Sequence, residues 1–402
     1  MARSISTSTS IAANGRRSPA ATSGTRRIEF ISVVLPCLNE EDAVGATVGE
    51  ALTGLSRVGI PGEVIVVDNG STDRSVERAT AAGARVIHEP IRGHGSAHMA
   101  GMAAARGNVI VIADADQTYD LERMGDLLAP LAEGADMVIG SRLQGEISKG
   151  AMPTLHRYLG TPIQTMLLRI LTGIRLSDCH SGYKAFWRDR VAPLNLRARG
   201  FDYQTEMLLK AGRAGLTLKE VPTDYRVRVG ESKLSTLRDG WLNTQMLLLL
   251  SPHFTLIFPG LAAASLGLLL CGMSLIAPTG IEIVNLRWLP VFLGPMLLIL
   301  GVQAAFLGCI AAHRSTLTPI AVRRRLAFFD RPDAVNRLLG GFLVVALIGA
   351  LLDAILLVLW LANLSSDALI GVAGLAQALI VIGGSGIATV FAADYSRESL
   401  GW

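Results

Sequence analysis

The sequence predicts an α/β domain with a mostly parallel sheet flanked by helices, followed by an all-α membrane domain of four transmembrane helices. Residues 28–142 alternate short β-branched runs with stretches of helical length, the pattern of strands covered by helices on both faces. Residues 252–402 contain four apolar runs, each long enough to cross a hydrocarbon core of about 30 Å. Half of all residues are apolar and 17% are charged, which excludes an ordinary soluble protein and disorder throughout.

Each predicted strand is an apolar run that stops at a proline, a glycine or a polar residue. The strands are expected at 31–35, 63–68, 84–88, 109–113 and 137–140, and the helices between them at 41–55, at 94–106 and from about residue 73. Ligands of such sheets bind beyond the carboxyl ends of the strands. The polar residues after Leu35, Val67 and Ala113 are therefore the first candidates for chemistry.

Two amphipathic segments are expected to lie in the membrane interface. Residues 154–174 place apolar side chains at helical spacing with His156, Arg157 and Arg169 off that stripe, and residues 237–251 directly precede the spans. An ordinary helix packed on the core is the alternative for 154–174. Residues 1–27 carry five arginines and no acid, and a disordered tail is the expectation there.

The four spans are predicted at residues 255–277, 288–312, 338–362 and 368–392. The loop 313–337 holds six arginines against two aspartates, which places it in the cytoplasm by the positive-inside rule. An even number of spans then puts both termini and the domain 28–236 in the cytoplasm as well, for an integral, multi-pass membrane protein. The third span contains Asp353, which either has a functional role or pairs with a polar residue of a neighbouring span, for which Gln303 and Gln377 are the candidates.

Charge and cysteine patterns exclude two further classes of protein. No basic stripe interleaved with aromatic residues occurs, so a nucleic-acid partner is not expected. The four cysteines, at 37, 179, 271 and 309, include no CxxC spacing, so neither a disulfide framework nor a zinc site is expected.

Three polar clusters follow three strands of the predicted sheet. Asp114 and Asp116, two residues apart, can hold one hard divalent cation, although such triplets also occur in solvated turns. The clusters 68–71 and 36–41 are suited to a nucleotide base or ribose, or to capping a strand-to-helix turn. The cationic loop 225–233 can bind phosphate or be a solvated hairpin. His94 and His98, four apart on a predicted helix, are interpreted as structural.

These segments, in this order, resemble the family 2 glycosyltransferases of the dolichol-phosphate mannose/glucose synthase type. The matching segments are SVVLPCLNEE (32–41), EVIVVDNGSTD (63–73), GHGSAHMAGMAAARG (93–107), DADQTYD (114–120), IGSR (139–142), DCHSGYKAF (178–186) and GESKLS (230–235). The resemblance implies a GT-A fold and inverting transfer of a hexose from a nucleotide-diphosphate sugar to a polyprenyl phosphate, with Mg²⁺ or Mn²⁺ as the cofactor.

The resemblance also assigns roles to individual residues. It implies a nucleotide-sugar site made by Pro36, Asn39, Glu40, Asp68, Asn69 and Asp114, and a metal site made by Asp114 and Asp116. It implies an acceptor-phosphate site made by Lys184, Arg226, Arg228 and Lys233, and a catalytic group made by Asp116, Arg142, Asp178 and Lys233. The chain departs from the family at Asn69, where many relatives have Asp, and at Val227, where the usual arginine is replaced by valine between Arg226 and Arg228.

Two other functions stay open from the sequence. The first is transfer to another membrane lipid, or processive polysaccharide synthesis, although no QxxRW motif precedes the spans. The second is a non-catalytic membrane scaffold with a nucleotide-sugar-like domain, against which the intact Asp114 and Asp116 argue. The motifs DNGSTD and DADQT favour UDP-glucose as the donor, with GDP-mannose as the alternative. Homo-oligomerisation is left open.

Overall fold

The N-terminal domain is built on a seven-stranded sheet. The computed structural model describes residues 26–230, 236–277, 281–283, 286–288, 290–315, 318, 320–364 and 369–399. The sheet contains β1 (Ile31–Cys37), β2 (Gly62–Asp68), β3 (Arg85–His88), β4 (Val109–Ile112), β5 (Met137–Ser141), β6 (Lys184–Trp187) and β7 (Leu218–Pro222). Its strand order is β3-β2-β1-β4-β6-β5-β7.

The pairing confirms the predicted, mostly parallel sheet. β1 is parallel to β2 and β4, β2 to β3 and β5 to β7, whereas β6 runs antiparallel between β4 and β5. β6 and β7 are not among the predicted strands. β6 comes late in the chain but lies in the middle of the sheet. Because it runs antiparallel to β4, it brings residues 178–184 beside the carboxyl end of β4.

Helices cover both faces of this sheet. They are α1 (Val44–Val58), α2 (Ser75–Ala81), α3 (His94–Ala104), α4 (Gly125–Ala132), α5 (Thr161–Thr172), α6 (Arg188–Val191), α7 (Tyr203–Arg213) and α8 (Thr236–Leu249). Alternate residues of β1 enter two separate hydrophobic cores, Val33 and Leu35 on one face and Val34 on the other. Because side chains on both faces of the sheet are buried, the strand sequences are continuous apolar runs.

α5 exposes an apolar face. The helix buries Thr165, Leu168 and Leu171 against the domain, while its opposite side and the π-helical turn before it, His156–Gly160, leave large apolar side chains at the surface. The exposed side chains are Leu155, Tyr158, Leu159, Ile163, Met166 and Ile170. α8 likewise exposes Trp241, Leu242 and Leu249. A contiguous apolar surface of this kind is typical of a membrane-contacting or partner-binding face.

Four helices in the C-terminal region are long and apolar enough to cross a membrane: His253–Ile276, which includes α9 (Phe258–Ile276), Pro290–Arg314 (α10), Ala334–Leu361 (α12) and Ile370–Asp394, the start of α13 (Ile370–Ser399). β8 (Ile281–Ile283) and β9 (Leu286–Trp288) form a hairpin between α9 and α10, and α11 (Ile320–Arg325) lies between α10 and α12. The four predicted membrane helices are therefore confirmed by their length and composition, whereas the β8–β9 hairpin was not predicted.

Small residues allow the membrane helices to approach one another closely. A Cβ at Gly267 would lie 2.3 Å from the backbone nitrogen of Leu298 on α10, and one at Gly383 would lie 2.6 Å from Ala346 on α12. Gln303 donates a hydrogen bond to Ser385 Oγ at 2.8 Å. The expected pairing of Gln303 with Asp353 is therefore not made, and the described part of the chain gives Asp353 no hydrogen-bond or ion-pair partner.

Candidate active site

A cavity of about 970 Å³ lies beyond the carboxyl ends of β1, β2 and β4. We call one part of its wall the charged end, formed by Asp114, Asp116, Arg142 and Arg228. We call another part the apolar end, formed by Leu155, Leu159, Ile163 and Trp241. The apolar end belongs to the exposed apolar faces of α5 and α8 described above. One continuous cavity thus joins buried ionic groups to an apolar surface of the protein.

Asp114 and Asp116 follow β4, as predicted, and differ in their partners. Asp116 is 2% exposed; its Oδ1 accepts hydrogen bonds from the Thr118 backbone N–H at 3.1 Å and the Thr118 hydroxyl at 2.6 Å. Asp114 faces the cavity, with His94 Nε2 3.9 Å from its Oδ1. Burial and the neighbouring Asp116 carboxylate raise the pKa of Asp114 to about 7. The pair therefore contains one carboxylate that favours an added cation.

The two arginines of the 225–230 loop point to different places. Arg228 Nε donates to Asp116 Oδ2 at 3.0 Å, and its Nη2 contacts the same oxygen. Arg226 instead pairs with Glu50 at 3.1 Å and Asp120 at 2.8 Å, outside the cavity wall. Of the two arginines predicted to bind acceptor phosphate, the structure brings Arg228 to the charged end and leaves Arg226 away from it.

Arg142 and Asp178 form a buried bidentate ion pair. Arg142 Nε and Nη2 donate to the two Asp178 oxygens at 2.7 and 2.8 Å, and the Asp178 side chain is fully buried. Burial alone would raise the pKa of Asp178, but the Arg142 charge and hydrogen bonds outweigh it and hold this pKa below its usual value. Arg142 lines the cavity, while Asp178 stands behind it. Asp178 therefore orients Arg142 in this arrangement.

Lys184 lies beneath the cavity. Its side chain is fully buried, and its Nζ donates to the Ser181 carbonyl and to Gln204 Oε1. Burial lowers the pKa of Lys184 to about 7, against the opposing effect of the Asp178 charge. The structure thus places this predicted acceptor-phosphate residue behind Gln204, which itself lines the cavity.

Some of the predicted nucleotide residues line the cavity, whereas the exposed Asn39 and the buried Asp68 do not. Pro36, Glu40 and Asn69 line the cavity. Asn39 Oδ1 accepts the Thr72 N–H at 2.8 Å, and Asp68 accepts the Ser71 N–H at 2.8 Å, with His88 Nδ1 3.0 Å from its other oxygen. Burial would raise the pKa of Asp68, yet the hydrogen bonds from Ser71 and His88 keep it below its ordinary value. Lys233 lies outside the described residues.

Three histidines, none of which was assigned to a site from the sequence, also line the cavity: His94, His156 and His180. His94 stacks on Phe201 with centroids 4.7 Å apart and contacts His98 Nε2 at 3.1 Å. Burial lowers the pKa of His94 and of His180 to about 4 in each case. The four-residue spacing of His94 and His98 was the one sign of these residues in the sequence. It fits a helix, but it does not indicate that the His94 side chain faces Asp114.

Comparison with known proteins finds relatives among the glycosyltransferases. A family model described as glycosyl transferase family 2 matches residues 32–192. The hexosyltransferase Agl6 of low-salt glycan biosynthesis in Haloferax volcanii is 37% identical over 63% of this chain, and the match spans 60% of that relative. A dolichyl-phosphate hexose transferase of the same organism is 32% identical over 52% of this chain and 89% of that protein. Glucosyl-3-phosphoglycerate synthase from Mycobacterium tuberculosis is similar in structure, with 27% identity, coverage of 55% of this chain and 79% of that chain, and a TM-score of 0.45.

Proposed function

This chain belongs to glycosyltransferase family 2 and is an enzyme of the polyprenyl-phosphate hexosyltransferase type, and from that premise we propose that it transfers a hexose from a nucleotide-diphosphate sugar to a polyprenyl phosphate, with inversion. The observation that carries the proposal is the single cavity that joins the charged end to the apolar end. A lipid phosphate needs both, because its head group is anionic and its chain is apolar.

The charged end suits a donor that carries a diphosphate. Oxygen ligands from one or two carboxylates together with phosphate oxygens are what Mg²⁺ prefers. Asp114, and Asp116 once Arg228 has released it, fit that requirement, and the described residues hold no cluster of three or more His, Cys, Asp or Glu that could bind a metal without the donor. A divalent cation bound there would stabilise the negative charge that develops on the departing nucleoside diphosphate.

The chain's own residues supply the rest of the electrostatics. Arg142 is a cation fixed at the cavity wall by the Asp178 carboxylate, so it can bind anionic oxygens without reorganising. Arg228 is paired with Asp116 and can bind the diphosphate once a divalent cation takes its place at that carboxylate. His156 and His180 line the cavity together with Arg142 and Leu155. We assign Arg142 to the acceptor phosphate, because it is the cation of the charged end whose charge acts on His156, the neighbour of Leu155 at the apolar end.

Inversion follows from the nucleophile. A lipid monophosphate has a second pKa near 6, so its oxygen is ionised at pH 7 and needs no strong general base. Retention through a covalent sugar–enzyme intermediate requires a carboxylate nucleophile. We assign Asp114 and Asp116 to the divalent cation, and Asp178 is fully buried behind Arg142, which supports direct attack by the acceptor phosphate and departure of the nucleoside diphosphate from the opposite side.

Membrane contact and orientation complete the proposal. The exposed apolar faces of α5 and α8 would lie in the interface, where a polyprenyl phosphate head group sits. Arg323, Arg324 and Arg325 of α11 are exposed between two membrane helices, which favours a cytoplasmic position for that loop and therefore for the catalytic domain. UDP-glucose is the favoured donor on the motifs DNGSTD and DADQT.

A donor screen tests the proposal. Purified protein is incubated with undecaprenyl phosphate, Mg²⁺ or Mn²⁺, and radiolabelled UDP-glucose, UDP-galactose, UDP-GlcNAc or GDP-mannose in turn. Label that enters an acid-labile lipid with one donor supports the proposal and identifies the sugar. Absence of labelled lipid with all donors, from protein shown to be folded by thermal unfolding, would contradict it and favour another acceptor lipid.

A further inference from the structure

Asn69, directly after β2, forms side-chain hydrogen bonds to one short segment of backbone. The residue is 5% exposed. Its Nδ2 donates to the carbonyls of Glu89 and Ile91 at 2.9 and 2.8 Å, and the Gly93 N–H donates to its Oδ1 at 2.7 Å. Both N–H donors of the amide are therefore used within residues 89–93, which we call the 89–93 loop.

The 89–93 loop and the residue after it present two cationic or polar side chains to the cavity. Arg92 lines the cavity, and its Nη2 donates to the Gly70 carbonyl at 3.1 Å. His94, the first residue of α3, lines it 3.9 Å from Asp114. The position of both side chains therefore depends on the conformation of this loop.

The 89–93 loop is fixed on its other side by backbone contacts. Gly93 has φ of +139°, and a Cβ there would lie 2.2 Å from the Arg199 carbonyl oxygen. The same carbonyl accepts the Gly95 N–H at 2.8 Å. The loop is thus pinned between the Asn69 amide and the Arg199 backbone.

We propose that Asn69 is a positioning residue for the donor substrate. Its side-chain amide holds the 89–93 loop and thereby places Arg92 at the cavity wall beside Gly70, where the donor nucleotide would bind. The guanidinium of Arg92, with a planar set of donors, then binds oxygen atoms of the nucleoside diphosphate. This inference rests on the proposed function for the identity of the ligand. It differs from the expectation that Asn69 itself contacts the nucleotide.

We call the three hydrogen bonds between the Asn69 side chain and the 89–93 loop the clasp, and they require an amide at position 69. An aspartate at position 69 could still accept the Gly93 N–H, but it could donate nothing to the Glu89 and Ile91 carbonyls and would place a carboxylate beside both oxygens.

Hydrogen exchange tests the clasp without any need for catalysis. In full-length protein in detergent, Asn69→Asp and Asn69→Ala should speed amide exchange in the peptide that covers residues 89–95 and speed tryptic cleavage after Arg92. The matched control is Asn108→Asp, because Asn108 also holds backbone with its amide, at Arg27, Glu29 and Phe30, away from the cavity. Unchanged exchange and cleavage at residues 89–95 in both Asn69 variants would overturn the inference.

Kinetics tests the consequence for the donor. With the nucleotide sugar and undecaprenyl phosphate of the donor screen, Asn69→Ala should raise the donor KM about tenfold and leave kcat and the acceptor KM within about twofold. Arg92→Ala should do the same. The double variant should be no worse than the more affected single variant, because Asn69 acts through Arg92. The inference would be overturned if the effects of the two single variants on the donor KM multiply in the double variant, or if the donor KM is unchanged.

The two tests separate this inference from the proposed function. If the wild-type protein transfers no sugar, the proposed function fails while the exchange experiment still decides whether Asn69 clasps the loop. Binding of UDP by calorimetry then replaces the donor KM as the readout. Weaker UDP binding in both Asn69→Ala and Arg92→Ala supports the inference, and unchanged binding in either contradicts it.

Discussion

At the charged end of the cavity, Asp116 and Asp178 each have an arginine partner within the chain, whereas at the apolar end Leu159, Ile163 and Trp241 are left exposed. The Arg142 guanidinium is therefore set in place by Asp178 before any substrate binds, which lowers the reorganisation that the reaction requires. The apolar side chains gain full burial when a lipid or a membrane covers them. This difference predicts that changes at the charged end impair chemistry and folding, while changes at the apolar end impair acceptor binding.

The largest expected effect is at the charged end itself. Asp116→Asn should lower the rate of sugar transfer about 1,000-fold, because a carboxylate that serves the developing diphosphate charge is lost. The measurement is the initial rate of labelled sugar entering lipid. Asp126→Asn is the matched control, since Asp126 pairs with Arg123 at the surface. A loss below about tenfold for Asp116→Asn would break the assignment of the charged end to catalysis.

Asp178→Asn tests whether the charged end is held by its ion pair. It leaves the Arg142 guanidinium without its carboxylate and should cost about 3–5 kcal/mol of stability, measured by thermal unfolding in detergent at pH 7. Because the folded-state pKa of Asp178 lies below its unfolded value, the stabilisation is present above about pH 4 and is lost as pH falls through the folded pKa. The wild type should therefore lose stability below about pH 4 more steeply than Asp178→Asn.

The control for this ion pair is one that is more exposed to solvent. Glu50→Gln weakens the contact to Arg226, whose side chain is 41% exposed, and should cost less than about 1 kcal/mol. Equal losses of stability in Asp178→Asn and Glu50→Gln would show that burial does not distinguish the two pairs.

The two neighbouring arginines provide a matched comparison within one loop. Arg228→Gln should lower kcat about 100-fold, because it removes a cation from the cavity wall. Arg226→Gln should leave kcat within about threefold, since its guanidinium binds Glu50 and Asp120 outside the cavity. Steady-state kinetics of both variants shows which of the two arginines binds phosphate. The reverse order would place the phosphate-binding arginine at position 226.

The smallest expected effect lies at the apolar end. Leu159→Gln should raise the KM for undecaprenyl phosphate about tenfold and leave the donor KM unchanged, because the buried area gained with the lipid is reduced. Met166→Gln is the control: Met166 is exposed on the same face of α5 but lies outside the cavity lining. An equal effect of both variants would show that α5 acts by general membrane contact alone.

The sequence predicted the parallel sheet and the position of Asp114 and Asp116, because apolar strands and the acids that end them are local patterns. It did not predict β6, whose four residues are too short for a periodic signal and which crosses back into the middle of the sheet. Consequently the Arg142–Asp178 pair, the burial of Lys184 and the orientation of His94 toward Asp114 could not be derived. Each joins residues that are distant in sequence, and tertiary packing alone decides such contacts.

The central claim is that one cavity recognises a phosphate and an apolar chain together. It is tested most directly by comparing two acceptors that share a phosphate, undecaprenyl phosphate and glycerol 3-phosphate, with the donor identified in the screen. We expect kcat/KM for the polyprenyl phosphate to exceed that for glycerol 3-phosphate at least about 100-fold, since only the former covers the apolar end. Equal values, or transfer to glycerol 3-phosphate alone, would contradict the account.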